Sequence, residues 1–260
     1  MLAVQFVARS RSDYPLATRE TCHRTWKVLR SRWPRVLSAC LMGNHFHVLV
    51  EEVDLDEELA WLRRAIHHVA GWTGVDVSAQ EARGRTKIRR DLRYIALNPC
   101  RAELAADPLE WLWSTHRELF GAVATPWVDR SRVLQLEGSP ERHHAYVSAD
   151  PSVRVQGTEP PQPPASATDF PIRGLGEIAA AARAATRGIE YRRRGPTRKM
   201  FLALARDQGW RDAALLARAC GMTRQGVHHA WKQTVDVRSG RACLADPRLQ
   251  LARVPTDPRT

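Results

Sequence analysis

The sequence predicts an α+β protein, in which an antiparallel sheet with helices on one face is followed by an all-helical domain. Three observations support this fold class. Short apolar segments flank a tight-turn sequence, as in a β-hairpin, and apolar residues recur at helical spacing on either side of it. A proline-rich stretch separates this mixed block from a second block whose spacing is helical.

The first half of the mixed block predicts a strand, a helix and a hairpin. Residues 3–9 are short and apolar enough for a strand. Apolar residues in 18–33 fall on one helical face, and Pro34 ends that helix because it cannot donate a backbone hydrogen bond. Residues 36–41 and 45–50 predict two strands joined by a turn.

The second half of the block predicts two further helices. Apolar side chains recur at helical spacing in residues 55–69 and again in residues 88–97. The intervening residues 71–87 are weakly patterned, so no element is predicted there.

The chain is expected to divide into two domains, a linker and a tail. The linker carries six prolines and few large apolar side chains, and the tail is polar, so neither builds a core. The expected boundaries are residues 1–150 for the mixed domain, 151–171 for the linker, 172–235 for the helical domain and 236–260 for the flexible tail.

The charge balance favours a polyanionic partner. Of 260 residues, 40 are Lys or Arg and 28 are Asp or Glu, which gives a formal net charge of +12. Such an excess attracts nucleic acid, although an arginine bias of this kind is also what a GC-rich genome produces. Basic residues concentrate in 183–199, a stretch with a single acid, Glu190, and this favours phosphate contacts.

Composition also argues against a secreted or membrane-bound protein. No apolar run approaches the ~20 residues that cross a bilayer, and the first residues lack the features of a signal peptide. Five cysteines without a Cys-x-x-Cys pair argue against a disulfide framework or a thiolate zinc site. We therefore expect a cytoplasmic, nucleoid-associated protein with DNA as its partner and no membrane contact.

The sequence His45-Phe46-His47 is the strongest candidate for a site. Residues two apart on a strand point to the same face, so both imidazoles project together while Phe46 faces the core. Two neutral imidazoles can bind a divalent metal ion. An isolated His-x-His pair also occurs by chance, and the chain has ten histidines.

Tyr94 and Asn98 form a second candidate pair. Four residues apart on a helix, they lie on one face and present a phenol and an amide together. Each has an alternative role. Asn98 is a suitable N-cap for a following helix that begins at Pro99, and Tyr94 is a suitable half-buried helix aromatic.

Three segments in this order resemble the REP-associated tyrosine transposases, which belong to the HUH (His-hydrophobic-His) single-tyrosine transposases. The segments are residues 41–50, 93–102 and 108–115. The resemblance covers roughly residues 3–120 and implies an α+β HUH fold of ferredoxin-like type. It also implies that His45 and His47 bind Mg²⁺ or Mn²⁺, that Asn98 is a further metal ligand, and that Tyr94 is the catalytic nucleophile.

These residue types suit phosphodiester cleavage. A free phenol has a pKa of about 10 and is mostly protonated at neutral pH. A metal ion polarises the scissile phosphate and helps to position the attack. Attack by the Tyr94 oxygen gives a covalent 5′-phosphotyrosine and a free 3′-hydroxyl, so a second strand can be joined without ATP.

The chain departs from the family pattern in two places. Gly43 replaces the proline of the usual Met-Pro-Asn-His sequence. The stretch between the histidine strand and the tyrosine helix is also shorter than usual, with residues 84–87 as the remnant of a strand sequence. We therefore expect a shortened sheet strand and a tyrosine helix with shortened first turns, and the sequence leaves open whether Tyr94 reaches the histidines.

Residues 215–231 fit a helix-turn-helix motif. Gly221 allows the tight turn, Thr223 can cap the second helix and Val227 can pack it against the first. An ordinary helical hairpin gives the same pattern. The candidate DNA contacts are Arg192, Arg193, Arg194, Arg198, Lys199, Thr223, Arg224, Gln225, His228 and Lys232.

The sequence supports three functions to different degrees. The first is a metal-dependent DNA transposase or strand transferase that acts on single-stranded, hairpin-bearing DNA, with duplex contacts by the C-terminal domain. The second is a catalytically weakened, domesticated, sequence-specific DNA-binding regulator, which the short stretch 71–90 favours. The third is a helix-turn-helix regulator with an unrelated sensory domain.

Overall fold

The computed structural model describes residues 1–11, 13–70, 72, 74–161, 172–188 and 190–250, apart from the side chains of 68–70. The chain forms two compact units. Unit 1 comprises Met1–Leu119 and Pro126–Pro160, and unit 2 comprises Phe120–Thr125 together with the described residues between 161 and 250. Residues 162–171 of the expected linker and 251–260 of the expected tail lie outside the described residues.

Unit 1 is built on a four-stranded antiparallel sheet, and this mixed class of helices and antiparallel strands is the one predicted. The strands are β1 (Leu2–Ser10), β2 (Ser38–Leu41), β3 (His45–Glu51) and β4 (Val75–Arg83). Their order across the sheet is β2-β3-β1-β4. The two central strands, β1 and β3, therefore have a neighbour on each side.

The helices of unit 1 follow and separate these strands. They are α1 (Arg19–Arg32), α2 (Leu55–Ala70), α3 (Arg85–Arg101), α4 (Arg130–Glu137) and α5 (Pro140–Ser148). Thr18 caps α1 by accepting a hydrogen bond from Thr21 N at 3.1 Å.

Helices cover both faces of the sheet, so the expectation of helices on one face is wrong. On one face, Trp33 at the end of α1 stacks on Phe6 at 5.1 Å, and Trp72 packs on Phe46 at 5.9 Å. On the other face, Tyr94 of α3 packs on His47. The physical reason lies in β3, which is buried on both sides along most of its length and so needs cover on both.

Strand β4 fills the stretch that the sequence left without an element. It pairs with β1 from Leu2 opposite Arg83 to Ser10 opposite Val75. As an edge strand it alternates exposed polar residues with partly buried small ones, and this is why it lacks an apolar signal. The expectation of a shortened strand is therefore wrong.

The connection from β4 to the tyrosine helix is a single residue. Gly84 has φ of 77°, a left-handed value that a residue with a Cβ adopts only with strain, and α3 begins at the next residue. Tyr94 consequently lies about two and a half turns into α3 at 3.6 residues per turn.

The third segment of the family resemblance has a structural role beside the histidine hairpin. Trp111 Nε1 donates to Leu41 O at 2.7 Å, and Leu41 N donates to Trp113 O at 2.9 Å. Thr115 Oγ1 accepts from Ala39 N at 2.8 Å. These bonds satisfy backbone N–H and C=O groups on the outer edge of β2. They also hold in place the hairpin that carries the histidines.

The first residues of the expected linker belong to unit 1. Val153 and Val155 pack against a buried cluster that includes Leu97 and Val147. Gln156 N donates to Ala106 O at 2.9 Å. The expectation that a linker begins at residue 151 is therefore wrong for 151–160.

Unit 2 is helical in its described residues. Its helices are α6 (Leu175–Thr186), α7 (Pro196–Asp207), α8 (Ala213–Cys220), α9 (Arg224–Trp231) and α10 (Arg238–Ala245). The expectation of a flexible tail is wrong for Arg238–Ala245, which form α10 and bury Ala242, Cys243 and Leu244. Small residues allow this packing, since a Cβ on Gly240 would meet Leu204 at 3.0 Å.

Candidate active site

The two histidines of β3 lie side by side on the face that α3 covers. Their ring centroids are 5.1 Å apart, and the residues are 9% and 3% exposed for His45 and His47. Arg9 stands opposite His45 on β1, and Val7 stands opposite His47. The alternation predicted from the sequence therefore places both imidazoles together, with Phe46 in the core on the other face.

Each imidazole is held through its Nδ1 atom. Asn44 Oδ1 accepts a hydrogen bond from His45 Nδ1 at 2.7 Å, and Gln5 Nε2 lies 2.9 Å from His47 Nδ1. Within the described residues, both Nε2 atoms are buried without a hydrogen-bond partner. For His45 this is the pattern of a metal-binding histidine, whose second nitrogen donates to a protein group.

Both histidines are neutral at physiological pH. Burial and, to a smaller degree, the charge of Arg9 lower the pKa of His45 to about 4, and contact with the Asn98 amide opposes the shift. Burial lowers the pKa of His47 to about 3, with smaller contributions from His45 and Arg9. Each neutral ring therefore carries one nitrogen lone pair at pH 7, as a cation ligand requires.

Tyr94 and Asn98 reach the histidines from α3. The Tyr94 ring is 5.6 Å from the His47 ring in an edge-to-face arrangement, and the tyrosine is 40% exposed. Asn98 is buried, and its Nδ2 has no partner among the described residues. The alternative of Asn98 as an N-cap is wrong, because Pro99 lies inside α3 and the helix continues to Arg101.

Arg101 is a site residue that the sequence reasoning missed. Its guanidinium carbon lies 4.8 Å from the centre of the Tyr94 ring, and its Nη1 donates to Tyr94 O at 3.0 Å. Its Nη2 donates to Asp150 at 3.3 Å, and Arg93 contacts the same carboxylate at 3.2 Å. The spacing of seven residues, about two helical turns, is the signal that places Arg101 beside Tyr94.

Asp150 is in turn fixed by its own neighbours. Ser152 donates to its carboxylate from the backbone N at 3.0 Å and from Oγ at 2.6 Å. These bonds and the charges of Arg93 and Arg101 lower the pKa of Asp150 against the effect of burial. The carboxylate therefore stays ionised and anchors Arg101 against the tyrosine.

The donors available for a metal ion are two imidazoles and one amide. In the part of the chain that is described, no cluster of three or more His, Cys, Asp or Glu side chains could hold a metal ion. His45, His47 and Asn98 offer two nitrogens and a carbonyl oxygen, a set that suits Mn²⁺ at least as well as Mg²⁺. Binding through His47 Nε2 needs a proton on Nδ1, which Gln5 accepts when its amide oxygen faces the ring.

The segment of unit 2 that was predicted as a helix-turn-helix or a helical hairpin forms two short helices, α8 and α9. Gly221 ends α8 in the left-handed conformation, and Thr223 Oγ1 accepts from Gly226 N at 3.1 Å at the start of α9. Val227 is fully buried. The candidate contacts in this part are exposed: Thr223, Arg224, Gln225, His228 and Lys232.

The basic stretch of unit 2 lies near the same turn. Arg198 Nη1 donates to Arg192 O at 3.2 Å, and both arginine charges act on the thiol of Cys220, the last residue of α8. Arg198 is half-buried. The other candidates of the stretch, Arg192, Arg193, Arg194 and Lys199, are exposed.

Comparison with known proteins gives one partial similarity in fold. A solved structure described as the REP-associated tyrosine transposase bound to a REP hairpin is similar at 17% identity and a TM-score of 0.38. The similarity covers 46% of this chain and 78% of that chain. No family model and no curated protein matches this sequence.

The described residues contain no helix that combines the length and the apolar character needed to span a bilayer.

Proposed function

We propose that this protein is a DNA transposase that cleaves and rejoins single-stranded, hairpin-bearing DNA through a 5′-phosphotyrosine intermediate. The observation that carries the proposal is the convergence of three groups. A half-exposed tyrosine ring lies 5.6 Å from His47, and the Nε2 atoms of His47 and His45 are buried without partners in the described structure. Unpartnered buried nitrogens are costly unless a ligand satisfies them.

Tyr94 is the proposed nucleophile because it is the residue of this group that DNA can approach. Its oxygen attacks the scissile phosphorus and loses its proton to solvent. The bond from phosphorus to the 3′ oxygen breaks, and that oxygen takes up a proton to become a 3′-hydroxyl. In the joining step another 3′-hydroxyl attacks the phosphotyrosine, so the phenol is released and no cofactor is consumed.

His45, His47 and Asn98 are the proposed metal ligands, and Mg²⁺ or Mn²⁺ is the proposed ion. When bound, the ion would supply Lewis-acid polarisation of the scissile phosphate. Arg101 and His47 both contact the phenol ring, which limits its rotation. Asn44 and Gln5 orient the imidazoles through Nδ1.

The C-terminal helices are proposed to locate the target. Arg224, Gln225 and His228 lie on the exposed side of α9, which is the helix that a helix-turn-helix places in a major groove. The five basic residues of 192–199 would add phosphate contacts. The duplex stem of the hairpin is the part of the DNA that these residues would contact.

The short stretch 71–90 favours a weakened regulator where it keeps the tyrosine away from the histidines. Strand β4 occupies this stretch as a nine-residue strand and Tyr94 lies beside His47, and both observations support the transposase instead. The transposase is therefore the function that the site supports best.

The direct test is incubation of the full chain with labelled single-stranded DNA that carries a hairpin, with Mg²⁺ or Mn²⁺ or with a chelator. We expect a protein–DNA adduct that survives denaturation and forms only with metal. Tight DNA binding without any adduct, across a library of hairpins and flanking sequences, would instead support the regulator.

Replacing Gln5 with Leu is expected to weaken Mn²⁺ binding by about 10–100-fold, the usual cost of losing a group that orients a metal-binding histidine. The variant leaves His47 in place and removes only the partner of its Nδ1 atom. Titration of Mn²⁺ followed by electron paramagnetic resonance measures the effect.

Gln80 provides a matched control for this prediction. It stands opposite Gln5 on β4 and is exposed. Gln80→Leu should therefore leave Mn²⁺ affinity unchanged. If Gln5→Leu and Gln80→Leu bind Mn²⁺ with equal affinity, the proposed role of Gln5 is excluded.

A further inference from the structure

One exposed arginine stands next to the paired histidines. Arg9 on β1 is directly opposite His45 on β3, so the two side chains share the face that carries the site. Cβ atoms of such cross-strand pairs are about 4.5–5.5 Å apart. The positive charge of Arg9 also acts on both imidazoles, which indicates that its guanidinium lies close to each of them.

Arg9 has no compensating carboxylate within the described residues. Its side chain makes neither a hydrogen bond nor an ion pair there. The carboxylate opposite it on β4, Asp76, is instead held by Arg11, with two hydrogen bonds of 2.6 and 2.7 Å. The guanidinium of Arg9 therefore remains available for an anion.

Arg93 and Arg101 differ from Arg9 because each of them contacts a carboxylate. Both are held by Asp150, which neutralises one of their two positive charges. The polar groups that contact the imidazoles, Gln5, Asn44 and Asn98, are neutral amides. Arg9 is thus a side chain of the histidine face whose positive charge is not bound to a carboxylate in the described residues.

We propose that Arg9 binds a phosphate of the DNA strand that lies across the paired histidines, an inference that rests on the proposed function of this site. Its planar fork of N–H donors matches the oxygens of a phosphodiester. The contact would place the strand over the site before chemistry, and it needs no metal ion. Arg9 is therefore a substrate-binding residue, distinct from the proposed nucleophile and metal ligands.

The test is the salt dependence of DNA binding by the full chain in the presence of a chelator, where no cleavage occurs. The probe is a single-stranded oligonucleotide with a hairpin. Log K falls with log salt, and loss of one phosphate contact makes this negative slope shallower by about 0.7–0.9. We expect Arg9→Gln to show the shallower slope together with weaker binding, and Arg9→Lys to recover the original slope because it keeps the charge.

Arg83→Gln is the matched control. Arg83 is an exposed arginine at the far end of β4, opposite Leu2 and thus on the other face of the sheet, and it pairs with Glu81. Its replacement changes the net charge equally but should leave the slope unchanged. Identical slopes for Arg9→Gln and Arg83→Gln would overturn the proposal.

A second measurement uses the protein without any substitution. Arginines are treated with phenylglyoxal with and without the oligonucleotide, and modified peptides are quantified by mass spectrometry. We expect DNA to protect Arg9 and not Arg83, and equal modification of Arg9 in both samples would overturn the proposal. Both measurements are independent of adduct formation, so failure of the nuclease assay and failure of the Arg9 contact are separate results.

Discussion

Tyr94→Phe is expected to abolish the covalent protein–DNA adduct, with a loss of more than about 10⁴-fold in cleavage rate, as for removal of other nucleophiles. The substitution removes one oxygen atom. The ring remains, with its contacts to His47 and to Arg101. Cleavage of end-labelled DNA and adduct formation on denaturing gels measure the effect.

Tyr146→Phe is the control for this prediction. The Tyr146 ring lies under Arg89 and Arg93 at 4.5 and 4.7 Å, and these contacts do not need the hydroxyl. The variant should form the adduct at the rate of the unmodified protein. An adduct in Tyr94→Phe, or its loss in Tyr146→Phe alone, would assign the nucleophile elsewhere.

The second large effect is expected from the histidine pair. His45→Ala and His47→Ala should each reduce metal-dependent cleavage by more than about 10²-fold, because each removes a proposed ligand of the ion that stabilises charge on the phosphate. DNA binding in a chelator should persist, since the C-terminal helices and Arg9 are unchanged. Cleavage rates across a range of Mn²⁺ concentrations, compared with binding measured separately, test this expectation.

His67→Ala provides the comparison, because His67 is exposed on α2. Thermal unfolding of each variant checks that the sheet is intact, as His45 and His47 are buried. Metal-dependent cleavage that persists in the folded His45→Ala, His47→Ala double variant would contradict the proposed metal site.

The parts of the site that follow from local geometry were predictable from the sequence. Strand alternation places His45 and His47 on one face, and helical spacing places Tyr94 and Asn98 together. In the C-terminal unit, Gly221 and Thr223 mark the end of one helix and the start of the next. In each case residues close together in the sequence determine the local geometry.

The parts that depend on pairing between distant segments were not predictable in the same way. Gln5 holds His47 because β1 pairs with β3 in one particular register, and Arg9 stands beside His45 for the same reason. Asp150 reaches Arg101 from the end of α5, 49 residues further along the chain. No local pattern contains these contacts.

Two elements were missed because their apolar signal is weak. Strand β4 lies at the edge of the sheet with one face exposed, so polar and small residues suffice. Helix α10 packs through Ser239, Gly240 and Ala242, which a sequence reading takes for a polar tail. In both cases burial by neighbouring elements decides the structure rather than intrinsic propensity.

The most direct test of the site is to identify the residue that carries DNA. The full chain is incubated with hairpin-bearing single-stranded DNA and Mn²⁺, the adduct is digested with nuclease and trypsin, and the peptides are sequenced by mass spectrometry. We predict a nucleotide joined through its 5′-phosphate to Tyr94 in the peptide that ends at Arg101. A nucleotide on Tyr14, Tyr146 or Tyr191, or an adduct that forms equally well without metal, would contradict the proposed site.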